Sequence, residues 1–181
     1  MGVIRAVKPV RLICALAFRP EIERNAVLSS FDEQWGSVDA VSPVFDFSAF
    51  TDYYENEMGP NLLKCFVGFI PSIDPGRLPA VKHQAQAVEK KWSTDGKRRV
   101  NLDPGYVTGS KLVLASTKDF AHRIFLDDGI YGDLQLQYRH GRFRPEAWTF
   151  PDYQSETALK FFLEVRAALV HEERDGEENG L

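Results

Sequence analysis

The order of apolar patterns along the first hundred residues constrains the fold more than any other feature of this sequence. Short apolar runs are typical of buried or half-buried strands. Four segments have this character: residues 10–18, 38–47, 62–70 and 98–102. Helical patterns begin at Pro20 and at Asp74. The resulting order, β-α-β-β-α-β, predicts an α+β fold with a ferredoxin-like core.

The second helical pattern is the clearest helical signal in the chain. Asp74 and Pro75 precede it and are well suited to the N-cap and first positions of a helix. Its apolar residues are spaced three and four apart, as on one face of a helix. They are Leu78, Val81, Ala85, Val88 and Trp92. This segment is therefore expected to pack one face against the sheet.

The second half of the chain predicts an antiparallel β-meander followed by a C-terminal helix. Two apolar runs flank Asp127-Asp128-Gly129, as in a β-hairpin. A three-residue loop pairs Arg123 with Asp133, whereas a two-residue loop pairs Ile124 with Asp133. We favour the longer loop because it keeps each face of the hairpin consistent. The final helix is expected to start at a Ser155 cap.

Charge and composition bound the kinds of partner. The chain has 181 residues and a formal net charge of −4, and the last eleven residues hold five acids. We predict a single α+β domain over residues 10–170 and a disordered acidic tail over residues 171–181. The remaining body is electrically neutral, which argues against broad, nonspecific nucleic-acid binding.

The apolar N-terminal stretch superficially resembles a signal peptide. A buried first strand explains it better, because the run is short and ends at Arg19-Pro20. No run reaches the ~18 apolar residues of a membrane-spanning helix, so we expect a cytoplasmic protein and no membrane partner. Cys14 and Cys65 are interpreted as buried strand thiols, with a disulfide as the alternative if their strands are adjacent.

One segment, residues 95–123, stands out as a cationic segment in an acidic protein. It contains six Lys or Arg residues against three Asp, and such a concentration of charge suits an anionic ligand. Lys97, Arg99, Asn101 and Asp103 alternate, so they are expected to share one strand face, with Arg98 on the other. The alternative is a solvated strand face with a local Arg–Asp ion pair.

A type II turn is predicted immediately after this strand. Pro104 and Gly105 are the preferred central residues of such a turn. If Thr108 then caps a helix, the free N–H groups of that helix would suit an anion. We expect five side chains to converge on one pocket: Arg99, Asn101, Asp103, Tyr106 and Lys111.

Candidate catalytic and metal-binding residues are few. Asp103 and His122 are the acid/base candidates, although a satisfied core histidine is the simpler interpretation of His122. Asp52 and Glu55 would share a helical face and so could hold a Mg²⁺ ion beside a bound phosphate. They could equally be first-turn acids of a short helix.

Several common reaction classes are excluded by motif. Residues 105–111 have three residues between the glycines where a P-loop has four, and Ser110 precedes Lys111. Residues 116–119 likewise lack the residue that a GTPase guanine motif needs between Lys118 and Asp119. The sequence also has no GxSxG elbow, HExxH helix or dinucleotide-binding glycine series.

Four stretches together resemble one prokaryotic family, the domain-of-unknown-function family numbered 4416. They are FDFSAFTDYYENEMG at 45–59, DGKRRVNLDPGYVTGSKLVLASTKDFAHRI at 95–124, GIY at 129–131 and WTFPDY at 148–153. The resemblance extends from residue 10 to about residue 170. Some members carry an automatic label of GTP-binding protein, so the resemblance implies GTP as one ligand to consider.

The sequence thus favours a protein that binds a small anionic, phosphate-bearing ligand, with a nucleotide among the candidates. The expected ligand-binding residues lie in the cationic segment: Arg98, Arg99, Asn101, Tyr106, Lys111, Lys118 and Arg123. The alternative is a non-enzymatic module, or an assembly subunit, that docks on RNA or protein through the same strand. Enzymatic activity and oligomeric state stay open.

Overall fold

A computed structural model describes residues 2–31 and 35–178. The strands are β1 (Arg11–Phe18), β2 (Ser37–Val41), β3 (Phe45–Asp46), β4 (Leu63–Ile70), β5 (Ser93–Thr94), β6 (Lys97–Arg98), β7 (Val100–Val107), β8 (Lys111–Ser116), β9 (Arg123–Asp127), β10 (Ile130–Arg139) and β11 (Arg142–Pro145). The helices are α1 (Arg24–Ser29), α2 (Glu55–Met58), α3 (Leu78–Lys91) and α4 (Glu156–Glu178), with short 3₁₀ turns at Pro75–Arg77 and Pro151–Gln154.

Nine strands form one antiparallel sheet in the order β11-β10-β8-β7-β1-β4-β2, with β3 also on β4 and β9 also on β10. β5 and β6 form a separate small hairpin. The predicted α+β class and the C-terminal helix are confirmed, and the sheet is a large antiparallel one. The finer description of a ferredoxin-like core stays a prediction.

The sheet carries helices on both faces. Along β1, Leu12, Cys14 and Leu16 point into the core beneath α1 and α3, whereas Ile13 and Ala15 point toward α4. This alternation follows from the two-residue period of a strand whose faces are both covered. Each fully buried Leu or Ile contributes about 1.5–3 kcal/mol relative to leaving it exposed.

The buried face of helix α3 is confirmed, whereas its predicted cap residue, Asp74, caps the 3₁₀ turn at Pro75–Arg77 that precedes the helix. The Asp74 carboxylate accepts a hydrogen bond from the Gly76 N–H at 2.7 Å, which satisfies one of the free donors of that turn. The four predicted apolar positions of α3 are all buried: Leu78, Val81, Ala85 and Val88. Trp92 follows as the helix ends and packs against the same core.

The predicted type II turn at residues 103–106 is wrong, because these residues continue strand β7. Pro104 lies where β7 pairs with β1, while pairing with β8 starts only at Gly105. Proline is tolerated where a strand edge has no partner. The helix considered after Thr108 does not form, because strand β8 follows instead. Thr108 Oγ1 accepts hydrogen bonds from the N–H groups of Ser110 and Lys111 and closes the turn into β8.

The β9–β10 hairpin confirms one part of its prediction and corrects another. Arg123 pairs with Asp133, as the longer loop requires. The loop itself is shorter than predicted, because Asp127 pairs with Ile130 and only two residues connect them. Asp128 and Gly129 both have positive φ, 47° and 73°, as in the type I′ turn that suits strand twist. A bulge between Ile130 and Tyr131 reconciles this turn with the expected register.

The end of the chain differs from the expected disordered tail. Helix α4 continues to Glu178, so residues 171–178 are helical, and residues 179–181 lie outside the described residues. Side-chain contacts hold this extension: the Glu172 carboxylate accepts hydrogen bonds from Arg11 at 2.5 Å and from Ser72 at 3.1 Å. None of the helices within the described residues is long and apolar enough to cross a membrane.

The two cysteines are buried thiols on neighbouring strands. Cys14 lies on β1 and Cys65 on β4, and both are free. Burial raises the pKa of Cys14 well above its ordinary value and that of Cys65 to about 11. Both are therefore protonated at neutral pH and serve as small apolar core residues.

Candidate functional site

The main sheet splits between β7 and β8. These two strands pair through only three residue pairs, beginning at Gly105 and Leu114. The first half of β7 pairs with β1 alone, while the end of β8 stays paired with β10 as far as Ser116. A cavity of about 490 Å³ occupies the resulting gap, with Asn101 and Asp103 on one side and Ser116 on the other. This volume lies in the range of small-molecule sites.

Side chains of helix α3 form hydrogen bonds with the free backbone edge of β7, where a neighbouring strand would otherwise pair. The Leu102 N–H donates to Glu89 Oε1 at 2.7 Å, and Lys82 Nζ donates to the Leu102 carbonyl at 2.9 Å. Buried backbone groups must find partners, so these two side chains allow the sheet to open without leaving unsatisfied groups. In a strand, the backbone N–H and C=O groups of every second residue point to the same edge. The nitrogen of Pro104, two residues after Leu102, therefore faces this free edge, where no neighbouring strand needs an N–H.

Nine of the residues that line the cavity are charged. The cations are Lys64, Lys82, Arg98, Lys118 and Arg123, and the carboxylates are Glu89, Asp103, Asp133 and Asp152. Aromatic side chains complete the wall: Phe47, Phe50, Tyr53, Tyr54, Phe120 and Phe150. The cavity therefore combines charged side chains with aromatic and apolar surface.

The deepest charges are ion pairs. Lys64 Nζ lies 2.7 Å from Asp152 Oδ2, and both side chains are only 4% exposed. Arg123 Nε lies 2.7 Å from Asp133 Oδ2, with side chains 4% and 1% exposed, which confirms the predicted pair. The Lys64 ammonium also lies 4.2 Å from the centroid of the Phe47 ring. Buried charges persist only when paired in this way.

A continuous chain of hydrogen bonds links the aromatic, acidic insert at residues 45–59 to the cationic segment. Arg98 donates from Nε and Nη2 to the two Glu57 carboxylate oxygens at 2.6 and 2.8 Å. Arg98 Nη1 donates to Asn101 Oδ1 at 2.7 Å, and Asn101 Nδ2 donates to Asp103 Oδ2 at 2.8 Å. The insert therefore meets the cationic segment through Glu57.

The predicted polar face of this strand, with Arg99, Asn101 and Asp103 on one side, is shifted by one position at its start. Asn101 and Asp103 line the cavity as expected, but Arg98 joins them in place of Arg99. The cause is a bend at Arg99 between β6, which belongs to the small hairpin, and β7, which belongs to the main sheet. Arg99 instead places its Nη2 atom 3.5 Å from Glu21 Oε1.

Asp103 is held in its ionised form. Burial alone would raise its pKa, but the nearby charges of Lys82 and Lys64, together with hydrogen bonds from Lys82 and Asn101, lower it below the ordinary value. Lys82 Nζ lies 3.2 Å from Asp103 Oδ1. At neutral pH this carboxylate can accept hydrogen bonds or a proton, but it has no proton of its own to donate.

The Glu57–Arg98 contact predicts a pH dependence of stability. A hydrogen bond from Arg98 lowers the pKa of Glu57, so its stabilising contribution is present above the ordinary value of 4.5 and is lost as pH falls through the lower folded pKa. We expect Glu57→Gln to be less stable than wild type at neutral pH, with the difference shrinking below pH 4.5. Urea unfolding at several pH values measures this. A pH-independent difference would contradict the assignment.

The second catalytic candidate, His122, lies outside the cavity lining. Its ring stacks on Trp148 with centroids 4.8 Å apart, and its Nε2 atom is 3.5 Å from Asp133 Oδ1. The side chain is 21% exposed. His122 therefore contacts the Arg123–Asp133 pair from outside the cavity, whereas Asp103 faces the cavity.

The prediction that five side chains converge on one pocket is wrong. Asn101 and Asp103 line the cavity, whereas Tyr106 packs among the apolar residues near α3 and Lys111 is exposed at the start of β8. Burial raises the pKa of Tyr106. Lys111 lies beyond the point where β7 and β8 are already paired, so the closed part of the sheet separates it from the cavity.

The predicted metal ligands are also placed elsewhere. Asp52 and Glu55 are exposed and do not line the cavity. Within residues 2–31 and 35–178, no group of three or more His, Cys, Asp or Glu side chains could hold a metal ion. Their neighbour Glu57 instead forms an ion pair with Arg98.

Four charged residues of the cavity lining were not predicted from the sequence: Lys64, Lys82, Glu89 and Asp152. Lys64 offered a signal, because it interrupts an otherwise apolar strand and a buried lysine requires a partner. Lys82 and Glu89 are seven residues apart on a helix, so they share a face. Asp152 lies in the aromatic stretch at residues 148–153, which lines the cavity through Phe150.

An antiparallel sheet that splits around a cavity, with helices on both faces, defines the class: an α+β protein whose sheet holds a cavity lined by charged and aromatic side chains. Within that class, the chain belongs to the family described as Domain of unknown function (DUF4416), whose family model matches residues 8–168. No curated protein and no solved structure matches the chain.

Proposed function

We propose that the cavity binds a small ligand that carries a phosphate or similar anionic group. One observation supports this above the others. Four of the five cations in the lining have carboxylate partners, but Lys118 has none among the described residues. Its ammonium donates to the Tyr53 hydroxyl at 2.7 Å and is exposed at the mouth. A cation in that position is available to an incoming anion.

The chain of polar groups behind Lys118 suits the rest of such a ligand. Arg98 and Asp103 are 29% and 28% exposed as side chains, so both stay accessible from the cavity. Together with Asn101 they offer donors and acceptors side by side. A nucleotide such as GTP has the size and the mixture of anionic and hydrogen-bonding groups that this lining favours.

The competing proposal is a module that docks RNA or protein on the cationic segment. Arg98 and Arg123, which would lead such docking, point inward and are held by carboxylates. Phosphate backbones bind cations that protrude from a surface, so this arrangement favours the small ligand. If the site is also catalytic, Asp103 is the better placed of the two candidates, as a proton acceptor.

The test uses two lysines that differ in position. Calorimetric titration with GTP, ATP and pyrophosphate should show binding to wild type. Lys118→Gln should weaken it about tenfold or more, the usual effect of losing a hydrogen bond to a charged group. Lys111→Gln removes an equal charge outside the cavity and should leave the affinity unchanged.

Native mass spectrometry of the purified protein complements the titration, since a retained phosphate compound would support the proposal directly. Equal weakening by both substitutions would indicate nonspecific electrostatics and contradict a site at Lys118. If none of the three probes binds at millimolar concentration, the proposal is wrong for phosphate ligands of this size.

A further inference from the structure

The mouth of the cavity is lined by exposed aromatic rings. Tyr53, Phe120 and Phe150 are 63%, 51% and 41% exposed, and all three line the cavity. They come from three separate parts of the chain: the insert before α2, the loop after β8 and the loop before α4. Exposed aromatic side chains that converge on one opening mark a binding surface more often than an accident of folding.

We infer that this mouth is a stacking site for a planar ring of the ligand, and that the ligands are nucleoside phosphates. The inference rests on the proposed function, because the phosphate is assigned to Lys118. Stacking on an aromatic side chain strengthens the binding of a planar ring by roughly five- to 150-fold. The remaining steps concern where the ring would lie and which ring chemistry fits.

Two of the mouth rings already have a cation on one face. The Arg123 guanidinium carbon lies 4.5 Å from the Phe120 ring centroid, and Lys118 Nζ lies 4.7 Å from that of Tyr53. The guanidinium lies against one face of the Phe120 ring, while Phe120 as a whole stays about half exposed. A ring held in this way presents a preformed surface for a second planar group.

The ring site and the anion site are adjacent. Lys118 and Phe120 are two residues apart, so their Cα atoms are separated by at most about 7 Å. A ligand that uses both must carry its anionic group a short linker away from its ring. A sugar between a base and a 5′-phosphate is a linker of this kind.

The polar interior favours a ring with hydrogen-bonding edges. Asp103 is held ionised and accepts N–H donors, while Arg98 and Asn101 lie beside it in the same lining. A plain hydrocarbon ring would desolvate these groups without replacing their hydrogen bonds, which is unfavourable. A nucleobase can stack at the mouth and direct its edge toward them.

Three matched probes separate the ring from the phosphate: AMP or GMP (whichever binds more tightly), the corresponding nucleoside, and ribose 5-phosphate. We expect the nucleotide to bind at least about fivefold more tightly than ribose 5-phosphate. Phe120→Leu should weaken the binding of the nucleotide at least about fivefold and leave the affinity for ribose 5-phosphate unchanged. Phe125→Leu is the control, since Phe125 is 57% exposed and lies outside the cavity lining.

The outcomes distinguish the two proposals. If ribose 5-phosphate binds as tightly as the nucleotide and Phe120→Leu changes neither, the stacking inference is overturned while the phosphate proposal stands. If the nucleoside binds as tightly as the nucleotide and ribose 5-phosphate does not bind, the phosphate proposal fails and the stacking site is supported. If none of the three probes binds, both are overturned. Thermal unfolding of the two leucine variants checks that each is folded.

Discussion

Asp152→Ala is expected to lower the free energy of unfolding by about 3–5 kcal/mol. The substitution leaves the Lys64 ammonium buried, with 4% of its side chain exposed, and without its carboxylate. The rings of Phe47 and Tyr153, with centroids 4.2 and 5.0 Å from Lys64 Nζ, compensate only in part. Urea unfolding with comparison of slopes measures the loss.

Two further variants make this result specific to the ion pair. Asp119→Ala removes an exposed carboxylate and should change stability by no more than about 0.5 kcal/mol. The double variant Lys64→Met/Asp152→Leu removes both charges and should be more stable than Asp152→Ala, because no uncompensated charge is left. A loss below about 1 kcal/mol for Asp152→Ala would show that water reaches Lys64, contrary to the burial described.

Gly105→Ala is expected to lower the free energy of unfolding by about 3 kcal/mol, because β7 and β8 are in close contact at that residue. A Cβ atom at Gly105 would collide with the Val113 carbonyl oxygen and lie 2.7 Å from Leu114 Cδ2. A backbone oxygen cannot move aside without separating the strands. The same urea experiment measures the loss.

Gly109→Ala is the matched control for this substitution. It lies in the turn between the same two strands, and its nearest neighbour would be Val170 Cγ2 at 4.0 Å. We expect little change in stability there. Equal tolerance at both positions would show that the β7–β8 contact is looser than described.

Local patterns predicted most of the elements but failed where a distant strand decided the conformation. The apolar spacing of α3 and the pairing of Arg123 with Asp133 were both readable, because each depends on neighbours in sequence. Pro104-Gly105 is a strong turn signal in isolation. Pairing with β1, more than eighty residues earlier, holds it in a strand, and tertiary contacts override local preference in such cases.

Part of the cavity lining could be predicted from the sequence, but not all of it. The charge of residues 95–123 identified the cationic segment, and Arg98, Asn101, Asp103, Lys118 and Arg123 do line the cavity. The partners of these residues come from elsewhere in the chain, as in the pair of Lys82 with Asp103 and that of Lys64 with Asp152. Sequence spacing carries no information about such distant partners.

The attachment of β7 to α3 has a consequence for any ligand of the cavity. Lys82 and Glu89 bond the edge of β7 from a helix whose own face is buried in the core. One wall of the chamber is thus preorganised, since its position is fixed by the same contacts that stabilise the fold. A ligand would spend little binding energy on ordering that wall. Selectivity should then come from complementarity of shape and charge rather than from induced fit.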